Sequence, residues 1–249
     1  GLKKLKFSMT FTMKEDETSV HSQWVAPCPH SLESWGDFEL RNGIFGLTQP
    51  TIKNIFDTKQ FQDVLLDLAE INTTYYDEIK LLWTNTILNG TTFEKALHDG
   101  LYKKPILKKV NVKPISKVST ALLNDYSLDN DMFEIVFTPS SSVYDGRYAN
   151  NGWLQEIPKP VTSLTWDNAA LISMKVAKKL NIKNGQMLEI NVGNNSIKIP
   201  AFITPGQNQK SITLELGYGR KFSGRIGNEV GFNVYPLRDS TNPSFILNG

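Results

Sequence analysis

Met187-Leu-Glu-Ile-Asn-Val-Gly-Asn-Asn-Ser-Ile-Lys-Ile-Pro-Ala-Phe-Ile-Thr204 reads as two strands folded about a turn. Met187–Val192 and Ile197–Thr204 flank Asn194-Asn195, a hairpin signal, because asparagine tolerates the left-handed backbone that tight turns need. Just upstream, Met174–Leu180 has the spacing of a short helix and Asn184-Gly185 that of a turn. Phe133–Thr138 and Ser211–Leu216 add two more apolar strand candidates. Many short strands, one short helix and frequent turns predict a small β-barrel over residues 131–249.

The N-terminal part has a different rhythm. Leu5, Phe7, Met9, Phe11 and Met13 alternate with more polar residues, the period of a strand with one buried face. Gly1 is not an initiator methionine and no signal-peptide pattern follows it. These features predict a piece of a longer protein, with the rest of this strand's sheet upstream. Asp16-Glu17 suits a helix start, and Pro27 and Pro29 stop whatever Gln23–Ala26 forms. Asn42-Gly43 suits a type I′ hairpin between Phe38–Arg41 and Ile44–Leu47. Residues 51–100 are the helical part. Asp57 or Thr58 caps Lys59–Glu70, Thr74 caps a second helix ended by Asn89-Gly90, and Thr92 starts a third that stops at Gly100.

Between these parts, Lys103, Lys104, Lys108, Lys109, Lys113 and Lys117 are interleaved with Pro105 and Pro114. This composition fits an exposed connector whose lysines keep it soluble, and also a basic docking strip. It makes 101–130 the expected domain boundary. The chain therefore reads as 1–100, a connector at 101–130, and 131–249.

Composition narrows the function. Over 249 residues, 27 Lys+Arg against 25 Asp+Glu give a net charge of +2, which excludes a strong whole-chain field for nucleic acid or an anionic membrane. The apolar runs are only a few residues long, too short for a bilayer-spanning helix. One cysteine, Cys28, excludes an internal disulfide framework, a cluster held by four thiolates of this chain, and a multi-thiolate zinc site. Cys28-Pro29-His30 puts thiol and imidazole on opposite sides of an extended chain, which favours a structural thiol over a nucleophile. His21, His30 and His98 fall in no metal-ligand pattern. Glu33, Asp37 and Glu39 surround Trp35, a carboxylate group without fixed separation and more simply explained by the turn at Gly36. Asn72, Asn89 and Asn194 match the glycosylation triplet, which is common by chance.

The richest glycine segment is Gly217–Gly231, with Arg220, Lys221 and Arg225 among its glycines. Glycine lets backbone approach a ligand closely, and fixed cations suit phosphate. The spacing is not G-x-G-x-x-G and no helix pattern follows, so a Rossmann loop is excluded. An anion-binding loop and a plain barrel connection both remain compatible with these residues.

Three segments together resemble the molybdopterin oxidoreductases. The first comprises Asp16-Glu17-Thr18, Gln23-Trp-Val-Ala-Pro27 and Leu32-Glu-Ser-Trp-Gly-Asp37. The second runs from Gly146-Arg147 through Asn150-Asn-Gly-Trp-Leu-Gln-Glu-Ile-Pro158 and Pro160-Val-Thr to Thr165-Trp-Asp-Asn-Ala-Ala-Leu-Ile-Ser173. The third holds Leu216-Gly-Tyr-Gly-Arg220, Gly224-Arg225, Gly227-Asn228, Val230-Gly-Phe-Asn233 and Tyr235-Pro-Leu-Arg238. The last two resemble, more narrowly, the molybdopterin-oxidoreductase-like iron–sulfur subunit of the quinol-oxidising alternative complex III.

The resemblance implies an α/β tail followed by a double-psi β-barrel, α+β overall, with Ser173–Leu180, Gly185 and Leu188–Ile190 as the barrel's helix–strand unit. It implies a respiratory electron-transfer complex on the bacterial inner membrane, at its periplasmic face, with other subunits as partners. The iron–sulfur clusters would lie elsewhere in the full-length protein, and this chain would not be catalytic alone. A molybdopterin dinucleotide, were one bound, would meet Gly146, Arg147, Asn150, Asn151, Trp166, Asp167, Asn168, Gly217, Gly219, Arg220 and Arg225. The resemblance also fits the cofactor-clamping part of a genuine bis-pterin molybdenum or tungsten oxidoreductase. A generic binding barrel with no redox role is a third reading of the same residues.

Overall fold

A computed structural model describes residues 1–104, 132–247 and 249. The chain divides into two compact units. One holds residues 1–14 with the described residues from 18 onward to 104, and the other holds 15–17 with the described residues from 132. Most of the lysine- and proline-rich stretch at 101–130 lies outside the described residues.

In the first unit, β1 (Met9–Thr12) lies parallel to β2 (Trp24–Pro27). The helix start expected at Asp16-Glu17 is absent; a 3₁₀ turn, Ser19–His21, follows there instead. The hairpin at Asn42-Gly43 joins β3 (Gly36–Arg41) to β4 (Ile44–Thr48), which in turn pairs with β5 (Leu101–Lys103). Its turn is not the expected type I′. Gly43 alone takes a positive φ of 79°, the register shifts between Glu39 and Arg41, and Glu39 Oε1 accepts the Gly43 N–H at 2.7 Å. One left-handed glycine beside a bulge closes the hairpin.

The helices follow their caps. Thr74 Oγ1 accepts the Asp77 N–H and starts α2 (Tyr75–Leu82), after α1 (Phe61–Leu68), which Gln60 rather than Asp57 or Thr58 precedes. A π-helical turn, Trp83–Ile87, carries α2 to its end. Thr92 caps α3 (Phe93–Asp99), and left-handed Gly100 ends it. These elements bury Trp83 completely, with Ile79, Ile87, Phe93, Ala96 and Leu47. Phe45 and Phe93 meet the Trp83 ring edge-on at 6.2 and 6.4 Å. The indole N–H donates to Asp37 Oδ2 at 2.9 Å, so the buried ring is also satisfied.

The second unit opens with β6 (Glu134–Thr138), then α4 (Gly152–Glu156), β7 (Ala170–Ile172), α5 (Met174–Leu180), β8 (Met187–Val192), β9 (Asn195–Ile203), β10 (Ser211–Glu215) and β11 (Phe245–Ile246). Ser173 Oγ caps α5 at 3.2 Å and left-handed Asn181 ends it. The β8–β9 hairpin turns at Gly193-Asn194, one residue earlier than Asn194-Asn195, because Val192 already pairs with Asn195. Gly193 supplies the positive φ there.

The strands form one six-stranded sheet in the order β11-β6-β10-β7-β9-β8. β6 with β10 and β7 with β9 are parallel; the other neighbours are antiparallel. Ile135 lies opposite Ile212, Phe137 opposite Leu214, and Ala170 opposite both Leu214 and Ala201, so alternate residues on one face build a single core. Among the described residues no strand pairing joins β8 to β11. The sheet is a half-barrel, and a closed double-psi barrel is not seen. The fold is α+β.

Ile199, fully buried on β9, tests the core. Ile199→Ala should destabilise by about 2–5 kcal/mol, while Ile157→Ala, at an exposed position, should stay within about 0.5 kcal/mol. Chemical denaturation of both variants measures the difference.

Candidate functional site

The residues singled out in the sequence converge on one region of the second unit, where the segment after β10 meets the loops after β6 and before β7. Gly217 and Gly146 touch there. A Cβ on Gly217 would lie 2.8 Å from the Gly146 nitrogen and from the Tyr144 oxygen, and one on Gly146 would meet the Arg220 side chain at 2.9 Å. Both take positive φ. Gly219 is closer still, its absent Cβ falling 2.1 Å from the Asn233 nitrogen, while that of Gly224 would fall 2.4 Å from the Asn150 amide. These glycines make room for the protein's own backbone and side chains.

The segment doubles back on itself. Gly219 N–H donates to Val230 O and Glu229 N–H to Arg220 O, both at 2.7 Å. Asn228 Oδ1 accepts the N–H groups of Ser223 and Gly224. Tyr144, Trp166 and Glu229 sit in the left-handed region without being glycine. That costs roughly 1–2 kcal/mol each and persists only where the surroundings dictate it.

Arg220 is committed. Its Nη2 donates to Glu17 Oε2 at 2.5 Å and its Nε to Glu17 Oε1 at 3.3 Å, while Nη1 donates to Gly146 O at 2.7 Å. The Lys221 and Phe222 N–H groups also reach Glu17 Oε1. Burial raises the Glu17 carboxyl, but the Arg220 hydrogen bond, the main-chain donors and the guanidinium charge outweigh it and hold it at about 2. Glu17 thus acts as a receptor for the loop, a role the sequence did not reveal because it lies 203 residues from Arg220.

The asparagines are structural in geometry. Asn168 is fully buried; its Nδ2 donates to Glu215 O and Phe232 O at 2.9 and 3.0 Å, and its Oδ1 accepts the Phe232 N–H at 2.7 Å. Asn150 Oδ1 accepts the Ile226 N–H at 3.0 Å. Asn151 caps α4 through the Trp153 and Leu154 N–H groups. Trp166 N–H donates to Gln155 O. Burial raises the Asp167 carboxyl above the usual range, against the Asn168 N–H and the Lys159 charge. Arg147 forms a forked pair with Asp145 at 2.9 and 2.7 Å and is largely exposed. Arg225 is exposed and has no ion pair among the described residues.

One buried group was not singled out in the sequence. Lys159 is 3% exposed; its ammonium donates to Asp167 O at 2.6 Å, pairs with Glu215, and lies 4.3 Å from the centre of the Tyr218 ring. It lines a cavity of about 510 Å³ with Ser141, Thr162, Thr204, Gln207 and Glu215. Tyr235, quoted in the third segment, is partly buried and donates its hydroxyl to Asp145 O at 2.8 Å.

The remaining candidates are separate. His30 Nδ1 accepts the Leu32 N–H and Glu33 Oε2 the His30 N–H, so Cys28-Pro29-His30 holds no free imidazole base aimed at the thiol. Glu33, Asp37 and Glu39 are engaged with different partners: the His30 and Ile55 N–H groups, Trp83 and Tyr75, and the Gly43 N–H. Among the described residues no group of three or more His, Cys, Asp or Glu side chains could hold a metal, and no helix is long and apolar enough to cross a membrane.

No protein-family model and no curated protein matches the sequence. Among solved structures, acetylene hydratase from Pelobacter acetylenicus resembles the chain with a TM-score of 0.61 at 14% identity, over 92% of this chain and 37% of that one. At this identity the likeness concerns the fold alone. The chain spans little more than a third of the length of that protein.

The glycine gaps are filled from within, Arg220 and the asparagines are spent on the protein, and of the arginines proposed for phosphate only Arg147 and Arg225 face solvent. Two outcomes follow. Asn168→Ala should cost about 3 kcal/mol or more, since it strips partners from three partly buried main-chain groups and leaves a cavity at a fully buried side chain, whereas Asn150→Ala should cost less; thermal and chemical unfolding compare them. Glu17 has its carboxyl lowered on folding, so its contribution is complete above pH 4.5 and fades as the pH falls toward 2. Melting curves of the wild type and Glu17→Gln should therefore differ at neutral pH and converge at about pH 2.

Proposed function

We propose that the chain is a structural, partner-docking part of a molybdopterin-oxidoreductase-like subunit in a respiratory quinol:acceptor complex of the alternative complex III type. The half-barrel is its double-psi module, kept as a scaffold without a bound pterin. The observation that supports this most directly is the Glu17–Arg220–Gly146 clamp, which occupies the guanidinium that a dinucleotide phosphate would need. In this reading the iron–sulfur clusters and the quinol chemistry belong to other parts of the complex, at the periplasmic face of the bacterial inner membrane. The 249 residues supply shape and contact surface, and no catalytic step is assigned to them.

A cofactor-clamping role in a genuine bis-pterin enzyme is the second reading. Exposed Arg225, with no ion pair among the described residues, favours it. The two readings separate in a titration with GDP, a probe with the guanine and phosphates of a dinucleotide. The scaffold reading expects no saturable binding. It also expects Arg220→Ala to lower the melting temperature by at least about 2 °C, the equivalent of roughly 1 kcal/mol in a chain of this size. Saturable binding with a Kd below about 10 µM that Arg220→Ala and Arg225→Ala abolish overturns the scaffold reading and promotes the second.

A further inference from the structure

The second unit holds a cavity of about 510 Å³ on the face of its sheet opposite the core. Along β7 and β10 the core takes Ala170, Ile172, Ile212 and Leu214. The alternate residues Leu171, Thr213 and Glu215 stand on the other face, and all three line the cavity. The remaining walls come from the segments after β6, after α4 and between β9 and β10, all inside the second unit. Small-molecule sites have this size, with mainly apolar walls and a few polar groups.

One wall is held by its own main chain. Lys159 N–H donates to Leu164 O at 3.1 Å and Ser163 N–H to Lys159 O at 3.0 Å, and Ser163 takes a left-handed φ of 56° to close the turn. This turn carries Pro160, Val161 and Thr162 of the cavity wall. Pro160 and Val161 join Pro139, Pro205 and Leu171 as its apolar surface.

The polar groups are mostly acceptors. Lys159 takes Glu215 Oε2, and Glu215 Oε1 has no hydrogen bond among the described residues. Gln207 spends its Nε2 on Ser211 O and Thr213 Oγ1 at 3.0 and 3.1 Å, and its Oε1 has no partner among the described residues either. Thr162 Oγ1 accepts the Leu164 N–H at 3.3 Å, which leaves its own hydroxyl hydrogen to donate. Lys159 is spent: Asp167 O and Glu215 take two of its hydrogens, and the Tyr218 ring lies 4.3 Å from its nitrogen. Its charge cancels that of Glu215.

We infer that this cavity binds a small uncharged molecule with a primary carboxamide on an apolar, ring-sized body. The amide nitrogen donates to Glu215 Oε1 and Gln207 Oε1, and the amide oxygen accepts from Thr162. The ring lies against the prolines, Val161 and Leu171. A carboxylate in the same place would set acceptor against acceptor. An amidinium would bring a second positive charge beside Lys159. This goes beyond the scaffold role, and the two fail separately, because the GDP titration concerns Arg220 and Arg225, which do not line the cavity.

The test uses the whole 249-residue chain and three probes built on one ring: benzamide, benzoate and benzamidine. Amide shifts in two-dimensional NMR should saturate with benzamide at a Kd of about 1 mM or tighter. They should centre on Leu171, Gln207 and Thr213. Benzoate and benzamidine should bind at least about tenfold more weakly. Gln207→Ala should weaken benzamide binding by about fivefold. Leu171→Trp, which fills the cavity from the face away from the core, should abolish it, and melting curves check that both variants are folded. The inference is overturned by no saturable shift up to about 10 mM benzamide, by either charged probe binding as tightly as benzamide, or by shifts centred elsewhere. Folded Gln207→Ala and Leu171→Trp chains that bind benzamide like the wild type overturn it as well.

Discussion

The second unit depends on one buried amide. Asn168 lies just before β7, fully removed from water, and holds the end of β10 through Glu215 O and the returning chain through both main-chain groups of Phe232. Buried main-chain groups without partners cost more than a hydrogen bond returns, so the segment between those two attachments must fold to meet them. Gly219 then approaches Asn233, Gly231 lies against Asn168 itself, and Gly217 against Gly146. The glycines are spaced by this internal packing, and the arginine they carry is aimed inward at Glu17.

The cations of this unit illustrate how burial sets a role. Lys159, Arg220 and Arg147 are each paired with a carboxylate, but Lys159 is enclosed, Arg220 is partly covered, and Arg147 is exposed. A buried pair is costly to break because the survivor is left charged without water. An exposed one contributes little. Lys159, with Glu215, a carbonyl and the Tyr218 ring around it, is therefore part of the framework, whereas Arg147 and Arg225 are surface charge. In the first unit Trp83 is likewise enclosed with its indole N–H satisfied by Asp37.

The two parallel arrangements in the chain contrast. In the half-barrel, β6 with β10 and β7 with β9 sit inside a six-stranded sheet whose one face is filled by isoleucine, leucine and alanine. In the first unit, β1 and β2 have the same parallel pairing, but among the described residues Met9, Trp24 and Val25 are exposed. The difference lies in neighbours, not in strand sequence, which is why the alternation of Leu5 to Met13 announced a buried face that the described residues leave open.

Local signals in the sequence were sufficient for the caps at Thr74, Thr92 and Ser173, the stop at Gly100, and the strands on either side of Gly43 and Gly193. Each rests on a contact within a few residues, where side-chain oxygens and glycine backbones act directly on the nearest peptide groups. Turn details already exceeded that reach: Asn42-Gly43 closed with a bulge because Glu39 caught the glycine N–H, and Gly193 took the turn expected at Asn194-Asn195. The helix start expected at Asp16-Glu17 failed for a longer-range reason, since Glu17 is claimed by Arg220 from 203 residues away. The sequence by itself determined β3, β4, β6, β8, β9 and β10, the helices α1, α2, α3 and α5, and that the glycine–arginine segment is unusual, but not α4, β5, β7 or β11. Only the tertiary structure decided what that segment faces, that the half-barrel stays open among the described residues, and which carboxylate each cation meets. Those outcomes turn on desolvation and main-chain pairing between distant residues, and no spacing in the sequence encodes which distant group will be buried beside which.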